Sequence, residues 1–194
     1  MLKARVFRSL AQANKANDLY QRAEEEWRRG RLRRAFRLML AAAKAGMVPA
    51  FATVAQFYDR GDGVKANESA ALDWYRRAYH AGDYSAANNI GCIWRDRKKL
   101  RQALLWFHRA VKLGDAEANL NIAKIYLRNK RDLAKAVQYL SATCNSAQTT
   151  EGSKEEARLL LRELKNKRTK RTGPTALPKG GAGRRRARQQ AVNG

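Results

Sequence analysis

The chain has 194 residues, room for one ordinary domain with an appendage, and 44% of them are apolar or aromatic, enough for a packed core. Its 41 Lys and Arg against 17 Asp and Glu give a net charge of +24, which predicts attraction to polyanions such as nucleic acid, anionic membrane or acidic protein. Two cysteines, Cys92 and Cys144, exclude a disulfide framework, and no apolar run approaches the ~18 residues of a membrane span.

Residues 1–17 read as a basic N-terminal helix. They hold no acid, and Lys3, Arg5, Arg8 and Lys15 lie beside Leu2, Val6, Phe7 and Leu10. A secretory signal is not expected, because there is no apolar h-region or small-residue cleavage site. An amphipathic mitochondrial presequence has a similar composition, but a plain first helix accounts for the pattern. A cytoplasmic location is the expectation, with mitochondrial or nuclear ones as alternatives in a eukaryote.

Residues 18–146 carry an internal repeat. Ala35 is followed by Leu38 and Met39 at +3 and +4, Ala42 at +7, Gly46 at +11 and Ala50 at +15. The same offsets from Ala71 give Trp74, Tyr75, Ala78, Gly82 and Ala86; from Ala103 they give Trp106, Phe107, Ala110, Gly114 and Ala118. An eroded copy starts at Ala136, with Tyr139 and Leu140 in place and Thr143 where alanine is expected. Offsets of 0, +3, +4 and +7 share one helical face, large side chains between small ones. The small residues admit a neighbouring helix, and the glycine ends the helix. The +15 alanine opens a further helix, also repeated: Val54, Ala55 and Tyr58; Ile90, Gly91 and Trp94; Ile122, Ala123 and Tyr126. Each unit is therefore a helix A, a turn, a helix B and a glycine turn. Such a pair buries its apolar face only by stacking on its neighbours.

The stretch from Ala50 to Ala86 resembles a Sel1-like repeat. It has the Tyr58–Gly61–Gly63–Val64 turn, the Ala71–Trp74–Tyr75–Ala78 helix B and the terminal Gly82. The other copies lack the Gly-x-Gly-Val insertion, step by 32 residues rather than 36, and drift toward the related tetratricopeptide repeat. The resemblance implies an all-α fold, a short right-handed α-solenoid of about four helix-turn-helix repeats. It also implies an adaptor or scaffold that presents a concave surface to a protein partner.

After the repeats, residues 147–164 read as a loop and a capping helix. Ser153 and Glu156 fit a capping box, and Ala157, Leu160, Leu161 and Leu164 form the apolar stripe. Residues 165–194 carry ten Lys and Arg, five Gly, two Pro and no acid, and are expected to form a disordered basic tail.

No catalytic or cofactor motif is present: no phosphate loop, zinc-protease helix, nucleophile elbow or calcium loop. No cofactor and no metal are expected, and the chain does not read as an enzyme. His80 and His108, the two histidines, have no triad partner or ligand spacing. Asn67 opens a glycosylation sequon but is better placed to cap a helix.

Charge is the functional signal. Without the ten tail cations, the first 164 residues keep 31 basic residues against all 17 acids. Many lie in the turns between helix A and helix B. Arg28, Arg29, Arg31, Arg33, Arg34 and Arg37 belong to the first unit; Arg95, Arg97, Lys98, Lys99 and Arg101 to the third; Arg128, Lys130, Arg131 and Lys135 to the fourth. The second turn, with Asp59, Arg60, Asp62 and Lys65, breaks the pattern. Equivalent turns stack along one edge of a solenoid, so a discontinuous basic ridge is expected there. Arg184, Arg185, Arg186 and Arg188 of the tail add a second basic element. Two readings follow. One is an interaction scaffold for an acidic protein partner. The other is a nucleic-acid-associated protein, RNA ahead of DNA, held through phosphates without base stacking.

Overall fold

A computed structural model of the chain describes residues 2–129 and 132–171. Among the described residues, secondary structure is helical throughout: α1 (Leu2–Arg28), α2 (Leu32–Lys44), α3 (Ala50–Arg60), α4 (Glu68–His80), α5 (Ser85–Asp96), α6 (Leu100–Lys112), α7 (Ala118–Asn129), α8 (Leu133–Asn145) and α9 (Glu151–Arg171). Each helix packs on the next, giving four stacked hairpins closed by α9.

The repeat offsets map directly onto burial. Ala35, Ala71, Ala103 and Ala136 are fully buried, as are Ala42, Ala78, Ala110 and Thr143 at +7. The +4 residues Met39, Tyr75, Phe107 and Leu140 are the large side chains at the centre of each layer. Leu38, Trp106 and Tyr139 at +3 are only half-buried, at the seam between layers. Thr143 is tolerated in an alanine's place because its hydroxyl donates to the Tyr139 carbonyl, 3.0 Å away. Gly46, Gly82 and Gly114 take φ of 97°, 96° and 100°. The following amides, of Met47, Asp83 and Asp115, then reach back to the carbonyls of Ala42, Ala78 and Ala110 at 2.9–3.0 Å, which ends each helix B.

Asn67 does cap α4, its Oδ1 accepting from the Ala70 amide at 3.1 Å. The expected Ser153 cap is displaced. Helix α9 starts at Glu151, and the Thr150 hydroxyl accepts from the Ser153 amide at 3.3 Å. Ser153 instead donates to Glu117, which also accepts from the Thr150 amide at 2.6 Å. A tertiary carboxylate therefore fixes the start of the capping helix.

Two boundaries also differ from the expectation. Helix α1 is continuous across residue 17, so the N-terminal helix and the first helix A are one element. Helix α9 continues through Lys165 to Arg171, into the segment read as disordered. That stretch is rich in Lys and Arg, good helix formers, and the first breakers are Gly173 and Pro174. The rest of the expected tail, 172–194, lies outside the described residues.

Candidate functional site

In the first unit the chain reverses at Gly30, which brings Arg31 and Arg34 back over the last turn of α1. The buried carboxylate of Glu26 meets Arg31 at 3.0 Å, Arg34 at 3.6 Å and Arg29 at 3.9 Å, and Arg29 also pairs with Glu25. Half of the expected first cluster is thus partly neutralised by its own helix. Arg28 and Arg33 are exposed and form no ion pair among the described residues.

The second unit carries acid instead of base. Burial pushes the Asp59 carboxyl above its ordinary range, the nearby Glu68 and Asp96 add to this, and Arg60 opposes it. Arg97 pairs with Glu68 and stacks over Trp94 at 5.0 Å. The basic edge is therefore interrupted between its first and third units.

The third and fourth units bring cations together. Lys98, Lys99 and Arg101 are exposed and unpaired among the described residues, with Lys98 held in the left-handed region at φ 61°. Arg95 is turned inward. Its Nε donates to Asp96 at 2.9 Å and its Nη1 to Asn121 Oδ1 at 3.1 Å; Asn121 Nδ2 in turn donates to Asn88 Oδ1 at 3.0 Å. Burial works against the Arg95 charge, but the hydrogen bond that Arg95 donates to Asp96 outweighs it and holds the guanidinium protonated. Beside this row lies an open cavity of about 240 Å³ lined by Arg95, Leu100, Lys124, Ile125 and Arg128. Lys124 Nζ also contacts Glu156 of α9 at 2.8 Å.

Turn composition pointed to Arg95 and Arg128, but not to Asn121 or Lys124. The signal was there on another axis: Asn121, Lys124, Ile125 and Arg128 stand at 0, +3, +4 and +7 on one face of α7. Lys130, Arg131, Arg184, Arg185, Arg186 and Arg188 lie outside the described residues.

Most of the large rings are committed to packing, Tyr84 being the most exposed of the large aromatic side chains among the described residues. Arg77 lies over Trp74 at 4.5 Å and Arg109 over Trp106 at 4.6 Å, the same offsets in successive units. Tyr126 and Tyr139 stack at 6.0 Å. Burial pushes the Cys92 thiol up and the His108 imidazole down, which favours their neutral forms. Among the described residues no three His, Cys, Asp or Glu gather as a metal site, and no helix is long and apolar enough to cross a membrane.

Four stacked helical hairpins closed by a further helix define a helical-repeat protein. The Sel1 repeat model matches residues 32–47, 54–83, 95–115 and 116–146, about half of the chain, and the chain belongs to the Sel1 repeat family. A Sel1 repeat protein from Oxalobacter formigenes is 28% identical, with a TM-score of 0.50 over 57% of this chain and 47% of that one. The protective antigen c5321 of uropathogenic Escherichia coli, with an SLR fold, is 22% identical, with a TM-score of 0.51 over 56% of this chain and 25% of its own. The latter is a likeness of fold alone. The chain thus spans about half of the first relative's length and a quarter of the second's. A comparison with curated protein sequences finds no match. Repeats of this family are generally non-catalytic and mediate protein–protein interaction.

Proposed function

We propose that the chain is a non-catalytic interaction scaffold that selects an acidic segment of a protein partner through its third and fourth repeats. The observation that carries this reading is the convergence of Arg95, Lys124 and Arg128 on one cavity beside the Asn88–Asn121 row. Asparagines offer both donors and acceptors to an extended peptide backbone, while the cations select its charge. Lys98, Lys99 and Arg101 widen the positive field around it. Nucleic acid is less well served, because the tryptophans at the repeat positions lie under arginines rather than forming a base-stacking platform.

The test is anisotropy of a labelled glutamate-rich peptide, its glutamine counterpart and a single-stranded RNA of equal charge, across a salt series. The acidic peptide is expected to bind, more weakly as salt rises, and the glutamine peptide to fail. A chain ending at Arg171 should retain most of that binding. RNA binding tighter than peptide binding, and lost on truncation, would instead make the chain nucleic-acid-associated through residues 172–194. If neither polyanion binds near physiological salt, the electrostatic reading is wrong.

A further inference from the structure

Three features of the Arg95–Lys124–Arg128 cavity go beyond a general attraction to acid. The first is size. At about 240 Å³ it is smaller than the roughly 300–1,000 Å³ clefts that hold cofactors and drug-sized ligands, so it suits one or two side chains. The second is its mixed lining. Leu100, the first residue of α6, and Ile125 of α7 give it an apolar wall, and the three cations come from α5 and α7. An ion such as free phosphate leaves that wall without a partner, whereas an acidic side chain beside an apolar one covers both. The third is that two of its cations already hold carboxylates of this chain, Arg95 that of Asp96 and Lys124 that of Glu156. Glu156 bridges to Lys124 Nζ with both oxygens, at 2.8 and 2.9 Å, although the two side chains are 48% and 39% exposed.

The three cations differ in how they are engaged. Arg95 is fixed by Asp96 and Asn121 and so presents a preorganised guanidinium edge. Lys124 is occupied by Glu156. Arg128 is exposed and forms no ion pair among the described residues, so it is the group with charge to spare. An exposed pair such as Lys124–Glu156 is worth little and is readily exchanged for another carboxylate.

We propose that this cavity seats one carboxylate side chain of a partner segment between Arg95, Lys124 and Arg128, with a neighbouring apolar side chain against Leu100 and Ile125, and that Glu156 is an intramolecular competitor for Lys124. This deepens the acidic-partner reading above and rests on it. The specificity that follows is for an acidic residue adjacent to an aliphatic one, not for charge alone. Helix α9 then acts as a brake on affinity as well as a cap on the stack.

The experiment uses the full chain and a labelled peptide carrying Glu and Asp around one Leu, read by anisotropy at fixed salt. Arg128→Ala should weaken binding about tenfold, while Arg101→Ala, at an unpaired cation in the first turn of α6 outside the cavity, should change it less than about threefold. Glu156→Gln should tighten binding severalfold, and replacing the peptide's Leu by Ser should weaken it severalfold for wild type but little for Leu100→Ser, at the half-buried wall residue. Circular dichroism and the thermal midpoint check that each variant is folded; Arg128→Lys, which keeps the charge, serves as a second variant and should recover part of the loss. Equal losses from Arg128→Ala and Arg101→Ala would overturn the cavity while leaving the acidic-partner scaffold standing. No change, or weaker binding, with Glu156→Gln would overturn the competition. An equally charged single-stranded RNA bound more tightly than the peptide, and weakened more by Arg128→Ala, would replace the protein segment by nucleic acid. Failure of wild type to bind the peptide at all would remove both readings.

Discussion

Lys98 holds a left-handed backbone at φ 61° in the α5–α6 turn, where the α1–α2 turn uses Gly30 at φ 73°. A side chain with a Cβ pays about 1 kcal/mol or more for that conformation, and among the described residues no hydrogen bond of the lysine head offsets it. The positive charge at the turn is thus kept against a backbone preference. Lys98→Gly is expected to raise stability by up to about 1 kcal/mol, read as a higher thermal midpoint, while weakening acidic-peptide binding. A variant that is less stable would show that the lysine makes a stabilising contact. Asp59 carries the opposite kind of strain. Burial first, then Glu68 and Asp96, raise its folded pKa above the unfolded one, so the ionised carboxylate destabilises the fold at neutral pH. That penalty is full above the folded pKa and disappears as pH falls to the ordinary carboxylate value. Asp59→Asn should therefore raise the thermal midpoint near pH 7 and give no advantage near pH 3; equal gains at both would trace the effect to packing.

At the scale of elements, the Gly61–Val64 insertion packs the second unit against the first. A Cβ on Gly63 would lie 2.4 Å from the Leu32 carbonyl carbon and 2.5 Å from its oxygen, and this is backbone that cannot step aside. With φ at 66° as well, Gly63→Ala should cost at least about 2 kcal/mol in chemical denaturation. Gly152→Ala in the first turn of α9, with open space around it, should be neutral or stabilising. Helix α9 depends on Glu117. Burial pushes that carboxyl up, but hydrogen bonds from Ser153 and Thr150 prevail and hold it below its ordinary range. Its contribution is present above the unfolded pKa and is lost as pH falls through the folded one. Glu117→Gln should speed hydrogen exchange at the Thr150 and Ser153 amides near neutral pH, and unchanged exchange there would place the anchor elsewhere. These elements also show what was legible in the sequence. Small and large residues at 0, +3, +4 and +7 announced every helix B, because burial there follows local periodicity. Ser153 and Glu156 misplaced the cap because the deciding partner, Glu117, is over thirty residues away. Composition likewise concealed α9 beyond Leu164, since solvated Lys and Arg extend a helix as readily as they populate a tail. The cavity was half visible: Arg95 and Arg128 stood out as turn charge, but Lys124 counts only once α5, α7 and α9 are brought together.

Over the whole molecule, the core is a chain of overlapping clusters. Tyr79, Trp94 and Trp106 border both the first and the second, and Tyr139 borders the second and the third. Each layer is therefore stabilised through its neighbours, as a stack of repeats requires. Across that continuous core the charge is unbalanced. The described ion pairs are mostly exposed and within or next to one turn of helix, so each contributes little, whereas the net charge of +24 acts over the whole surface. Like-charge repulsion should then outweigh pair attraction in the salt response. Raising ionic strength from about 10 mM to about 150 mM shortens the Debye length from roughly 30 Å to 8 Å, which screens repulsion between turns but spares contacts below 4 Å. The thermal midpoint is expected to rise over this range, in chloride and without a bound polyanion. Ending the chain at Arg171 removes Lys179, Arg184, Arg185, Arg186 and Arg188, five of the 41 cations, so most of that rise should persist. If the rise vanishes with them, the repulsion belongs to the last residues and the repeats are balanced on their own. If the midpoint falls with salt in both chains, the local pairs around Glu26, Glu68 and Glu156 outweigh the net charge, and the basic turns are already neutralised from within.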